Sequence, residues 1–435
     1  MQPEANTSCA LKLNVLVNEP TFCSMSIVVP GLLVDALYRQ AVTSQKGTPA
    51  FGFHKRETPF AYIEQNYQSN LFEHIQEFLL KYLVIGFLEQ EIYKKKILMA
   101  GRPRLTTIDI QPGQDAVFNF ELSLYPSLAF HEWKYLPFKA PKRKNYKDLD
   151  RQVETFLHEE IAAKENYLDS TIKIGDWVNY SARLLNNDSN PVFNGHIANL
   201  WVKIGDEEPD KPIQEVFINK KNGQQFVSSN RILQDYFTES LNSNYTFGIT
   251  INDVVPYSYF CLDQFKHYFR IKSNKEMYQK LIEVFSYRND LSQRRTTVEE
   301  SLKLLLSKHR FEVPNHLVLR QQKAVLDAIQ FNPDYHVYRV QKDFKDAVRD
   351  LAEKQMREEI FLDQMAYDED IALSPMDVKC YLNLTKRPRT KEFLHRDPPM
   401  TKIRGQEVPI LSEELNRVCL REKTINHIIY HLTKK

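Results

Sequence analysis

The sequence predicts an α+β protein, multidomain and elongated, on three observations. Its 435 residues call for roughly three domains, or an extended chain of small cores. Period-two apolar alternation is concentrated in residues 10–124 and 171–257, whereas residues 258–435 carry helical periodicity. With 12 glycines against 26 phenylalanines and 22 tyrosines, the composition suits packed aromatic cores rather than a disordered chain. The expected division is 1–127, a small α+β unit; 128–170, a linker with a long helix; 171–257, a β-rich unit; and 258–435, a helical unit.

Leu11, Leu13, Val15 and Val17 alternate, as do Met25, Ile27 and Val29 beyond the turn at 18–20, which reads as a hairpin. Pro30 opens a helix carrying Leu33, Val34, Leu37 and Ala41. Residues 52–59 (Gly-Phe-His-Lys-Arg-Glu-Thr-Pro) form a basic turn, with Thr58 suited to cap the next helix and Pro59 to its first position. Asn70 and Glu73 read as a capping box for a long helix with Phe72, Ile75, Leu79, Tyr82 and Leu83 inward. Ala116, Phe118, Phe120, Leu122 and Leu124 then alternate as a strand. Lys139, Lys142, Arg143, Lys144 and Lys147 cluster about Pro141, as in a solvated linker, with a second phosphate contact as the other reading. A helix follows with Leu149, Val153, Phe156, Leu157 and Ile161 on one face.

Four short alternating runs at 177–183, 200–204, 223–228 and 245–251, separated by Asn, Asp and Gly, predict a compact sheet. Beyond them, Ser273 with Glu276 and Thr296 with Glu299 form capping boxes, while Val313-Pro314 and Ser374-Pro375 begin further helices. The run from Phe344 to Met365 is one long amphipathic helix, and Leu415, Val418, Ile425, Ile428 and Ile429 line the last.

Several function classes drop out. Lys and Arg total 58 against 56 Asp and Glu, so any nucleic-acid contact must come from a local patch. Five scattered cysteines without a Cys-x-x-Cys pair fit reduced thiols and argue against a disulfide framework or zinc site. No apolar run is long enough to span a bilayer and no targeting segment opens the chain, so a soluble intracellular protein with no membrane partner is expected. His158-Glu159 lacks the second histidine of a zinc protease helix, and neither a nucleophile elbow nor a Gly-rich phosphate loop is found. No metal or cofactor is expected.

The turn at 52–59 offers a ring, Phe53, beside cationic His54 and Lys55, a combination that stacks on a base or protein face while pairing with phosphates. A plain solvated charge cluster is the bland alternative. With Asn66-Tyr67 beyond it, the stretch resembles the ribosome-docking signature of bacterial trigger factor, Gly-Phe-Arg-x-Gly-Lys-x-Pro. Gly52, Phe53, Lys55 and Pro59 match, while His54, Arg56 and Glu57 depart. The resemblance implies that Gly52, Phe53, His54, Lys55 and Arg56 contact the large ribosomal subunit beside the exit tunnel.

Residues 171–257 resemble the family's FKBP-type prolyl isomerase domain at Asp176, Phe193-Asn194, Gly205, Gly223 and Phe226. That resemblance implies an apolar pocket of Phe193, Ile213, Tyr236 and Phe247. Such a pocket would bind the twisted amide better than the planar one and so lower a barrier of about 18–20 kcal/mol. Asp210-Lys211-Pro212-Ile213-Gln214 stands where the family has Ile-Pro-Gly-Phe-Glu, and Ala182 where an aromatic is usual. A working peptidyl-prolyl isomerase and a chaperone with an inactive isomerase domain therefore both stay open, with ordinary sheet core as a third reading of the aromatics. The helical remainder resembles the family's arms, and Met356, Phe361 and Met365 are the candidate contacts for unfolded chain. The implied partners are nascent and unfolded polypeptides, with a weak homodimer off the ribosome. A ribosome adds about 5–20 residues per second, whereas an X-Pro bond isomerises unaided in tens to hundreds of seconds, so ATP-independent shielding is expected to be the main task.

Overall fold

The computed structural model describes residues 10–434 except 47–49, 55–56, 112, 126–127, 131, 142–147, 168–169, 194, 242–243, 289–290, 331, 400–401 and 404. Most of the cationic linker, and Asn194, therefore lie outside the described residues. The architecture is α+β and multidomain.

Strands β1 (Lys12–Glu19) and β2 (Phe22–Val29) form the expected hairpin. They continue into β4 (Ala116–Leu124) and β3 (Met99–Asp109), all antiparallel, in the order β1-β2-β4-β3. Met25, Ile27 and Val29 meet Phe118, Phe120 and Leu122 in the core beside Leu33, Val34 and Leu37 of α1 (Gly31–Gln45). Strand β3 was not expected. It is an edge, mostly exposed or half-buried, and Gly101 and Pro103 interrupt its alternation, as is tolerated where a missing N–H breaks few ladder bonds.

Helix α2 (Phe60–Leu79) runs through a π-helical turn at Leu80–Val84 into α3 (Ile85–Lys94). The proposed start at Asn70 is corrected: Asn70 is exposed within α2, which begins ten residues earlier. Thr58 is corrected too. Pro59 is the N-cap residue, and the Thr58 hydroxyl is buried with no hydrogen-bond partner among the described residues.

The β-rich unit contains β5 (Trp177–Leu185), β6 (Ala198–Lys203), α5 (Lys211–Phe217), β7 (Gln225–Ser228), α6 (Arg231–Asp235) and β8 (Thr246–Val255). Its five-stranded antiparallel sheet recruits a distant strand, Ile410–Leu411, which pairs with Trp201 and Leu200. Helix α4 (Leu149–Glu165) buries Leu149 and Val153 but leaves Ile161 exposed.

The remaining elements are α7 (Leu262–Tyr268), α8 (Asn274–Phe285), α9 (Gln293–Lys308), α10 (Asn315–Ile329), α11 (Tyr335–Tyr338), α12 (Phe344–Asp368), α13 (Pro375–Leu384), α14 (Pro388–Lys391) and α15 (Ser412–Thr433). Ser273 caps α8 by accepting from Glu276 N at 3.1 Å, and Ser374 with Asp377 forms a full capping box on α13. The box expected at Thr296 is displaced. Ser292 caps α9, accepting from Arg295 N at 3.2 Å, and the Thr296 hydroxyl donates back to Ser292 O inside the helix.

Helices α10 and α12 lie against each other and against β3, so tightly that a Cβ on Gly101 would stand 3.1 Å from Leu317 Cδ2. Gly101 also has φ +74°, so a side chain there is disfavoured twice. Met356, Phe361 and Met365 are buried in this packing, which corrects the expectation that they form an open apolar patch. Their face of α12 has neighbours on several sides: β3, α9 and α15 as well as α10.

Candidate functional site: a surface turn and a filled pocket

The turn ahead of α2 is built on Gly52, whose φ of +86° a residue with a side chain rarely adopts. Phe53 N donates to Ala50 O at 3.0 Å, and Glu57 N to His54 O at 3.0 Å. Phe53 is half-buried and sets its ring edge on Tyr62 at 4.9 Å, while His54 is exposed. Lys55 and Arg56 lie outside the described residues. Among the described residues the most exposed ring is one not singled out from the sequence, Phe51, at 95 % exposure. Phe60, nine residues on at the start of α2, is exposed too, with Lys46 Nζ 4.8 Å above its ring. The signal for Phe51 was available in its position next to the turn glycine.

The residues of the expected isomerase pocket lie in the core. Phe193, Ile213 and Phe247 are 1, 2 and 0 % exposed and Tyr236 is half-buried. One apolar cluster joins them without a break to the N-terminal sheet and to α2. His74, Phe78 and Tyr82, spaced four residues apart on the long helix, enter the β-rich unit together. The Tyr82 ring lies 5.5 Å from Phe193, 5.1 Å from Phe237 and 5.2 Å from Phe78, and Phe237 in turn stacks 5.9 Å from Phe247. Tyr82 OH donates to Ala182 O at 2.9 Å and accepts from Leu184 N at 3.2 Å.

The turn before α5 is closed from another side. Asp210, fully buried, accepts from Glu207 N at 3.3 Å and from Glu407 N at 2.7 Å. Its carboxylate occupies the space a side chain on Gly205 would need. Asp210 thus anchors the segment that carries the added strand Ile410–Leu411, instead of walling a cavity.

Four residues up the helix from Phe78, His74 shares a hydrogen bond with Tyr245 OH at 2.7 Å and another with Thr238 Oγ1 at 3.3 Å. Burial lowers its pKa to about 4. Because the unfolded chain takes up this proton near the usual pH 6.5, the His74 contribution is complete above that pH and is lost as pH falls from 6.5 to 4. The loss is expected to reach about 3 kcal/mol, and His74→Phe should flatten that segment of a urea-denaturation stability profile.

Open apolar surface is found elsewhere. A cleft of about 670 Å³ lies between the outer face of β4 and the start of α10, bordered by Phe22, Leu124, Phe311 and His316. Within it His316 Nε2 and Ser123 Oγ share a hydrogen bond of 2.8 Å. At the far end of the α10–α12 hairpin, Val337, Tyr338 and Val340 are 60, 41 and 74 % exposed, and no residue of α11 is buried. No helix among the described residues is long and apolar enough to cross a membrane.

Residues 11–157 match the profile of a family described as bacterial trigger factor protein (TF). Among curated relatives, the trigger factor of Actinobacillus pleuropneumoniae is 22 % identical over 233 residues, 53 % of this chain and 52 % of its own. That of Haemophilus ducreyi is 23 % identical over 236 residues, again 53 % and 52 %. The chain thus spans about half the length of the curated relatives it matches. A solved structure of the trigger factor chaperone, described for promiscuous substrate recognition in folding and assembly activities, aligns over 97 % of this chain and 100 % of its own. The identity there is 13 % and the TM-score 0.36, too loose an overlay to transfer detail.

Proposed function

These likenesses support a divergent member of the trigger factor family, and on that premise we propose an ATP-independent cytoplasmic chaperone that docks beside the ribosomal tunnel exit and shields apolar segments of nascent chains. Residues 1–127 are read as the docking unit and 258–435 as the holding unit. The observation that carries docking is the turn at 50–54, where an exposed aromatic, Phe51, and an exposed His54 flank a positive-φ glycine at the head of the long helix. Holding is supported by the exposed side chains at the hairpin tip.

The test is co-sedimentation with ribosomes at physiological salt. The natural chain should pellet with the large subunit, while Phe51→Ala, Phe53→Ala and Lys55→Ala combined should leave most of it in the supernatant. Equal pelleting of the variant would remove the turn from the account. Binding to free RNA with a steep salt dependence, and no preference for intact subunits, would point to a plain RNA-binding protein instead.

Of the two readings of the β-rich unit, chaperone only with an inactive isomerase domain is the one we favour. A shape catalyst needs an open pocket, and burial of Phe193, Ile213 and Phe247, with the Tyr82 ring against Phe193, supports its absence. A prolyl peptide should isomerise at the buffer rate in the presence of the purified chain.

A further inference from the structure

On the edge of β5 that faces β6, the register with β6 stops at Ala182 opposite Ala198. The next main-chain bond along that edge runs from Val192 N to Leu184 O, at 2.9 Å. Between these points the ladder is bridged by a side chain from outside the unit. The Tyr82 hydroxyl accepts from Leu184 N, which lies beyond the last β6 pair, as the C=O of an extended peptide could, and it also donates to Ala182 O, the residue paired with Ala198. Its ring is held by Phe193, Phe237 and Phe78.

We propose that the β-rich unit retains a ring-binding site whose resident occupant is Tyr82, an internal ligand supplied by the long helix. This rests on the reading of the unit as an occluded isomerase scaffold and adds the identity and chemistry of what occludes it. The site takes an aromatic ring bearing one group that both donates and accepts a hydrogen bond. A bare ring fills the same volume but leaves Leu184 N without an acceptor, so phenols are selected over hydrocarbons. An incoming peptide finds the site taken, because the competing tyrosine is tethered in place on a helix buried with it.

The probe is phenol, with toluene as the hydrocarbon control. Tyr82→Ala in the full chain opens an apolar cavity with one donor and one acceptor at its end. Millimolar phenol should raise the melting temperature of this variant by several degrees, toluene by clearly less, and neither should shift the natural chain. No phenol shift in the variant, or the same shift in the natural chain, overturns the proposal. Tyr82→Phe guards against a variant that does not fold, since it keeps the ring and removes only the hydroxyl. It should release the Leu184 amide to hydrogen exchange while that of Val192 stays protected, and unchanged protection at Leu184 overturns the proposal equally. Prolyl isomerisation by the natural chain is measured alongside. A rate above buffer sinks the occluded reading and this inference with it, whereas a buffer rate without phenol binding sinks the internal ligand alone.

Discussion

Replacing Val337, Tyr338 and Val340 together with serine is expected to remove most of the protein's ability to suppress aggregation of a refolding client while leaving its own thermal stability unchanged. All three are exposed at the end of the α10–α12 hairpin, so their truncation creates no cavity and unpairs no buried group. Burying such side chains against a client is worth about 1.5–3 kcal/mol each when complete. Partial coverage of all three still amounts to about 2–3 kcal/mol, or at least about tenfold in client affinity. Light scattering at equimolar chaperone and client reads this directly. Met365→Ala is the opposing control: the residue is fully buried among α9, α12 and α15, so truncation should cost about 2–5 kcal/mol of stability, with little effect on holding where the chain is still folded. Should the tip variant hold clients as well as the natural chain, the open apolar surface that matters is elsewhere, and the cleft beside Phe22 and Phe311 becomes the next place to truncate.

Why the tip escaped the sequence reading while α12 itself did not is a matter of what periodicity encodes. The run from Phe344 to Met365 marks one helix, and one helix forms from Phe344 to Asp368. The same stripe cannot say what covers it, and Met356 and Met365 prove to be packed on several sides. Local capping was legible at Ser273, where a serine met a following acid, and the helix start at Ser374 was legible from the proline after it. It misled at Asn70, where the first turns of α2 are largely exposed and leave little apolar signal ahead of it. Strands with both a partner and an apolar face were visible as alternation; β3, an edge carrying glycine and proline, was not. Asp210 is the sharpest case. The sequence resemblance implies a place in a pocket wall, yet its carboxylate is committed to Glu407 N, almost two hundred residues on, and nothing within its own neighbourhood announces that bond. Tyr82 was read as inward-facing, which it is, but the interior it faces belongs to the β-rich sheet.

That shared interior makes Phe78→Ala the substitution with the largest expected effect on the fold. Phe78 is fully buried, with ring neighbours Tyr82 at 5.2 Å, Phe237 at 5.2 Å, Tyr245 at 5.6 Å and His74 at 6.3 Å. Two of these come from its own helix and two from the β-rich unit, so the ring is a joint between the two sheets. Removing it costs about 3–5 kcal/mol through lost burial and the cavity left behind. The loss does not fall evenly. With a continuous core, the amides of β2 and β5 should become exchangeable at one common urea concentration in the natural chain, as in a single cooperative unit. Once the joint is hollowed, β5 and its neighbours should open at lower urea than β2, because β2 keeps its packing against β1, β4 and α1. A loss below about 1 kcal/mol with the two strands still opening together would mean that the helix merely rests on the β-rich unit, and the occluded pocket would lose its physical basis along with the joint.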